Sequence, residues 1–161
     1  MGSEWTVDMI LLPSVKQVDE LRRTFMMVLR GHIGTLYKWG GDDIHGIDCS
    51  GLVVEGLKSV GILDAHEDYT ADGLYNKFKH CPVLYPSEGC LIFYRRTPES
   101  KYHHVVIAVD DYSAIGAEGG GNTIDTSGEA IAADAYVKVR PIKRGYLMTA
   151  VDPFISCFKE E

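Results

Sequence analysis

At 161 residues the chain is long enough for one domain, 1–161, with a hydrophobic core of its own. A formal net charge of -7, with no run rich in lysine and arginine, argues against nucleic acid as the main partner. No apolar run approaches the roughly 20 residues of a membrane span, and the apolar Met9-Ile10-Leu11-Leu12 follows Glu4 and Asp8 rather than a basic region, so it does not read as a signal peptide. Compartment and oligomeric state are left open.

Ser14 and Gln17 have capping-box spacing after Pro13. Val18, Leu21, Phe25, Val28 and Leu29 then recur at helical spacing until Gly31, which predicts a first helix, with Met26-Met27 as core filler. Next comes Tyr37-Lys38-Trp39-Gly40-Gly41, a short loop, and Gly46-Ile47-Asp48-Cys49-Ser50-Gly51-Leu52-Val53. Leu52, Val53, Gly56, Leu57 and Val60 keep helical spacing up to Gly61, so a second helix begins at or near Cys49. A thiol there sits at the positive end of the helix dipole, which favours the nucleophilic thiolate. Against this stands the ordinary fate of a lone cysteine, packed as a small hydrophobe.

Thr70 is placed to cap a short helix over Ala71 to Phe78, and Cys81 to Gly89, with two prolines, reads as a loop. The pattern then turns to strands. They are Cys90 to Tyr94, His104 to Val109, a return over Ser113 to Glu118 after an Asp110-Asp111 turn, and Ala135 to Arg140, stopped by Pro141. Gly119-Gly120-Gly121-Asn122 breaks the third, and Tyr146 to Phe158 is left unplaced. Helices first and adjacent strands after them predict an α+β fold with an antiparallel sheet. Cys81, Cys90 and Cys157 are irregularly spaced and read as free or structural thiols. With no Cys-x-x-Cys and no ligand spacing, neither a metal nor another cofactor is implied.

The aromatic-x-Trp-Gly-Gly approach followed by Asp-Cys-Ser-Gly-Leu-Val resembles the NlpC-type (NlpC and p-sixty) papain-like cysteine peptidases. That resemblance implies a papain-like layout, with the nucleophile at a helix start packed on an antiparallel sheet that carries the base. Cys49 would be the nucleophile. The segments Gly89-Cys90-Leu91-Ile92-Phe93 and His104-Val105-Val106-Ile107 match the family's two sheet motifs, with Cys90 where an aspartate is usual, and make His104 the general base. His103 is the alternative, although period two sends the two imidazoles to opposite faces. His32, His45, His66 and His80 read as solvated.

The family's third polar residue aligns with Gly116, which has no side chain. Glu118, two residues on and on the same face, is expected to reach back and hold the imidazole, with Asn122 as alternative. Tyr37 is implied as a hydroxyl assisting the oxyanion beside the Cys49 amide. Asp48 is implied as a loop-positioning group that contacts a substrate amine, Ser50 as a cap or lining residue, and Trp39 as a pocket wall. The implied activity is that of a cysteine endopeptidase or amidase on the peptide stem of the bacterial cell wall, cutting after a D-glutamyl residue. A phage-tail or lysis component and an intracellular recycling enzyme both suit such a chain. Two alternatives stay open: an amidase or acyltransferase on a non-wall substrate, and an inactive binding or assembly module of the same fold.

Overall fold

The computed structural model describes residues 14–156. Helix α1 (Val15–Gly31) opens with the expected capping box: the Gln17 amide donates to Ser14 Oγ at 3.3 Å, and the Ser14 amide donates to Gln17 Oε1 at 2.7 Å. Its inner face buries Phe25, Met26 and Leu29, whereas Met27 is exposed, so only one of the two methionines is core. Strands β1 (Asp42–Asp43) and β2 (Gly46–Ile47) form a small hairpin that leads into α2 (Cys49–Ser59). Helix α3 (Ala71–Phe78) is capped by Thr70, as its sequence predicts.

The main sheet contains β3 (Pro82–Val83), β4 (Leu91–Arg95), β5 (His104–Ala108), β6 (Ser113–Glu118), β7 (Tyr136–Pro141) and β8 (Leu147–Val151). Their spatial order is β3-β8-β4-β5-β6-β7, and every pairing is antiparallel. Several elements were not foreseen: the short β1 and β2 lie in the approach to Cys49, and β3 lies within the stretch read as a loop, where it pairs with β8. Helix α4 (Ser127–Ala132) carries a capping box from Thr126 and Glu129, and β8 comes from the segment left unplaced. A short helix α5 (Pro153–Ser156) follows. The reading of Cys157 and of the residues before Ser14 lies outside the described residues.

Alternation along β4, β5 and β6 divides the apolar side chains between two cores. Leu91, Phe93, Val105, Ile107, Ile115 and Ala117 pack with α1, α2 and α3 in the larger one, while Ile92, Tyr94, Val106, Ala108 and Ala114 form the smaller. Helix α2 lies against α1 on one side and against β5 and β6 on the other. At Gly56 an added Cβ would come 2.7 Å from the Phe25 ring, so the missing side chain sets how closely α1 and α2 approach. That packing fixes the position of the α2 start relative to the first residue of β5.

Candidate active site

Asp48 organises the entry to α2. Its Oδ1 accepts from the Gly51 amide at 2.7 Å, the N-cap bond, and from the Ser50 hydroxyl at 3.2 Å. Its Oδ2 accepts from the Gly40 amide at 2.9 Å, and its own amide donates to the Gly41 carbonyl at 3.1 Å. One carboxylate therefore caps the helix and ties the glycine loop to it. Ser50 is not the cap; its hydroxyl supports Asp48 and lines the cleft. At Gly51 an added Cβ would lie 2.3 Å from the Gly41 carbonyl oxygen, so only glycine lets loop and helix meet there.

Cys49 is the first residue of α2 and is buried. The amides of a helix's first turn have no intrahelical acceptor, and the Cys49 N–H is one of these. His104 opens β5 and faces Cys49, and its Nε2 is 3.2 Å from Glu118 Oε2. Its ring stacks on Tyr94, with centroids 5.9 Å apart and planes at 25°, and the Tyr94 hydroxyl donates to the Ile142 carbonyl at 2.7 Å. His103 precedes the strand, is exposed, and meets Tyr146 edge-on at 5.2 Å. His104, not His103, is thus the imidazole between Cys49 and an acid. His45, His66 and His80 are exposed and His32 is half-buried.

Glu118 reaches His104 by a route other than the expected one. The β5–β6 register pairs Ile107 with Ile115 and Ala108 with Ala114, and continuing it sets His104 directly across from Glu118. Glu118 has no need to reach back over Gly116. A Cβ at 116 would lie 2.6 Å from Val106 Cγ1 and 3.0 Å from Glu118 Oε1, so that glycine clears space for the carboxylate. The exposed Asn122 lines the same cleft.

Glu118 is only 3% exposed, yet it is ionised. Burial alone would raise its pKa. The hydrogen bond and charge of His104, together with Arg144, reverse this and hold it down at about 2. Arg144 Nη1 lies 2.5 Å from Glu118 Oε1, and Arg140 Nη1 lies 3.5 Å from Oε2. Burial likewise works against a charged His104. The Cys49 and Glu118 side chains, as hydrogen-bond partners and negative charges, overcome it and bring the ring up to about 9. His103 moves the opposite way, lowered first by burial and then by the charges of His104 and Arg96. The sequence reading gave none of the three arginines a part in the site. Arg144 sits in the turn after β7 and comes to Glu118 only through tertiary packing.

The Tyr37 ring is buried beneath the loop after β6, where a Cβ at Gly120 would come within 2.1 Å of it. Burial, and then the negative charges of Cys49 and Asp48, raise its pKa well above the ordinary phenol range, so it keeps its proton. Trp39 is 52% exposed and stands as a wall beside Cys49.

The family profile of NlpC/P60 matches residues 34–141, two thirds of the chain. The chain belongs to the NlpC/P60 family. Solved structures agree on the fold. The peptidoglycan hydrolase RipB of Mycobacterium tuberculosis superposes with a TM-score of 0.66 at 21% identity, over 88% of this chain and 68% of that one. The P60 domain of an antigen from M. avium subspecies paratuberculosis gives 0.63 at 21%, over 85% and 97%. The resuscitation-promoting-factor-interacting protein RipA, mutated at a glutamate, gives 0.63 at 21%, over 87% and 65%; sister structures are mutated at a cysteine and at a histidine. No curated protein sequence matches.

Around Cys49 this NlpC/P60 domain opens two clefts that share Trp39 and His103. One, of about 510 Å³, runs past Asp42, Asp48 and Asp68. The other, of about 780 Å³, holds His104, Glu118, Arg96, Arg140 and Arg144. Among the described residues no group of histidine, cysteine and acidic side chains is arranged to hold a metal ion.

Proposed function

We propose that this domain is a cysteine endopeptidase of the bacterial cell wall, hydrolysing the amide that follows a D-glutamyl residue of a stem peptide. The observation that carries this reading is the line Cys49–His104–Glu118, with His104 Nε2 3.2 Å from the carboxylate, set at the junction of two open clefts. Family membership supports it. So does the description of RipB as a peptidoglycan hydrolase, and so do the residue types altered in the RipA structures.

With Nε2 donating to Glu118, Nδ1 is the ring nitrogen left to take the thiol proton. The thiolate attacks the carbonyl carbon, and the Cys49 amide stabilises the oxyanion at the helix start. Tyr37, held as a protonated phenol, is the second donor. The imidazolium returns its proton to the amine nitrogen as the C–N bond breaks, leaving an acyl-thioester. His104 then takes a proton from water, the hydroxide attacks the thioester, and the thiolate departs. Asp48, Ser50 and Trp39 shape the acyl side of the cleft. Purified wall fragments incubated with the protein are expected to release peptides newly ending in D-glutamate by mass analysis, and Cys49→Ala is expected to release none. Equal release by a folded Cys49→Ala variant would exclude thiol catalysis.

A further inference from the structure

The two clefts carry opposite charge. The Asp48 cleft is lined by three aspartates and no lysine or arginine. The His104 cleft is lined by three arginines against one carboxylate, in a protein whose net charge is -7. The surplus is not consumed inside the protein. Glu118 is engaged by His104 and by the largely buried Arg144. Arg140 stands 3.5 Å from an oxygen already held by His104, and about half of its side chain faces solvent. Arg96 is exposed beside His103 and makes no ion pair among the described residues. An unmatched positive lining in a negative protein implies an anionic occupant.

Chemistry decides which half of the substrate lies there. The group that protonates the expelled amine is His104, and only this cleft contains it. The leaving fragment therefore occupies the arginine cleft and the acyl fragment the aspartate cleft. An expelled α-amino acid carries its carboxylate two bonds from the amine nitrogen, close to where the proton is delivered. Guanidinium groups bind carboxylates through paired, charge-assisted hydrogen bonds.

We propose that Arg96 and Arg140 form a carboxylate site for the leaving fragment, so that the enzyme selects bonds whose amine side is an amino acid or short peptide with a free carboxylate. This rests on the amide-cleaving reading above. The bond broken, the proton from His104 and the thioester are those already described; the arginines add only recognition.

The test compares two synthetic peptides, L-alanyl-γ-D-glutamyl-L-lysine and its C-terminal carboxamide. Each is measured for kcat/KM with the wild type, Arg96→Met and Arg140→Met. The wild type is expected to favour the free acid by about tenfold or more, and each variant to lose most of that preference. The acid-to-amide ratio is the readout because Arg140 also touches Glu118, and any general loss of turnover cancels in it. Arg96→Met, at a residue that makes no ion pair with Glu118, is the second safeguard. Equal cleavage of both peptides by the wild type would overturn the carboxylate site while leaving the amide-cleaving function intact. So would a preference that survives both substitutions. Cleavage of neither peptide by a protein that also releases nothing from wall fragments would sink both.

Discussion

At Glu118 a single buried carboxylate faces three cationic groups, His104, Arg144 and Arg140, and the balance of charge around it tunes His104. In the proposed mechanism the working state is the thiolate–imidazolium pair, so activity on the alkaline side ends when His104 loses its proton. Glu118→Gln removes a negative charge from the ring, and the alkaline limb of kcat/KM is expected to move to lower pH, with a lower maximum. Arg144→Met removes a positive charge from the same cluster, which also contains Arg140, so the limb is expected to move to higher pH. Opposite shifts in the two pH profiles would separate electrostatic tuning from simple damage, since misfolding lowers the maximum without dictating a direction. The two groups also shape stability. His104, raised to about 9 from an ordinary 6.5, stabilises the fold fully below 6.5 and loses this contribution as pH rises through 9. Glu118, depressed to about 2, contributes above 4.5 and loses it as pH falls toward 2. Much of this site was legible. The Asp110-Asp111 pair announces the hairpin, but a two-residue turn there would set residue 117 opposite 104; the loop closes between Val109 and Ser113 and so spans three residues, which brings Glu118 across from His104. Alignment to a family slot pointed instead to Gly116, and only the one-face argument led on to Glu118. Arg144 left no such trace, because nothing local ties it to Glu118.

At the scale of elements, Asp48 shows why the Asp-Cys-Ser-Gly string was readable. Cap, proposed nucleophile and clearance for the glycine loop are all written within four residues. Asp48→Ala loses both the helix cap and the bond to Gly40, and is expected to cost about 1–2 kcal/mol in urea denaturation. Asp48→Asn keeps an acceptor for Gly51 but cannot also accept from Gly40, and should fall between. A larger loss in Asn than in Ala would contradict the capping role. Helices with strong local signals (α1 with its Ser14 box, α3 with Thr70) were foreseen. Helix α4 was not: its capping box is followed by only one and a half turns with a single buried residue, too few for helical spacing to register. Strand β8 escaped for a related reason. Leu147 and Met148 are exposed and Ala150 and Val151 both buried, so the strand lacks the alternation that marks its neighbours.

Over the whole molecule, distant segments are bound by contacts that no local pattern encodes. Arg22 in α1 forms a two-pronged ion pair with Asp152 just after β8, at 2.9 and 3.2 Å, and lies 4.6 Å over the Phe154 ring. Asp152 is buried and Arg22 about one-fifth exposed, so the two partners are not equivalent. Arg22→Met strands a carboxylate inside and is expected to cost about 3 kcal/mol. Asp152→Ala leaves a guanidinium that can turn to water and should cost less. Chemical denaturation of both variants checks the order, and a costlier Asp152→Ala would show that its bond to the Phe154 amide outweighs the ion pair.

Strand β8 is the last of the main sheet's six strands in chain order but second in spatial order, wedged between β3 and β4. During synthesis β4 therefore emerges with one edge satisfied by β5 and the other bare until some fifty residues later, when Leu147–Val151 follows. Arg140 and Arg144, which set the charge around Glu118, arrive in that same late stretch. A nascent chain can hold Cys49 and His104 outside the ribosome long before their surroundings exist. The topology thus sets an order of completion: one edge of β4 is covered only by the last strand of the sheet, and a chain stalled before Leu147 presents that edge unpaired.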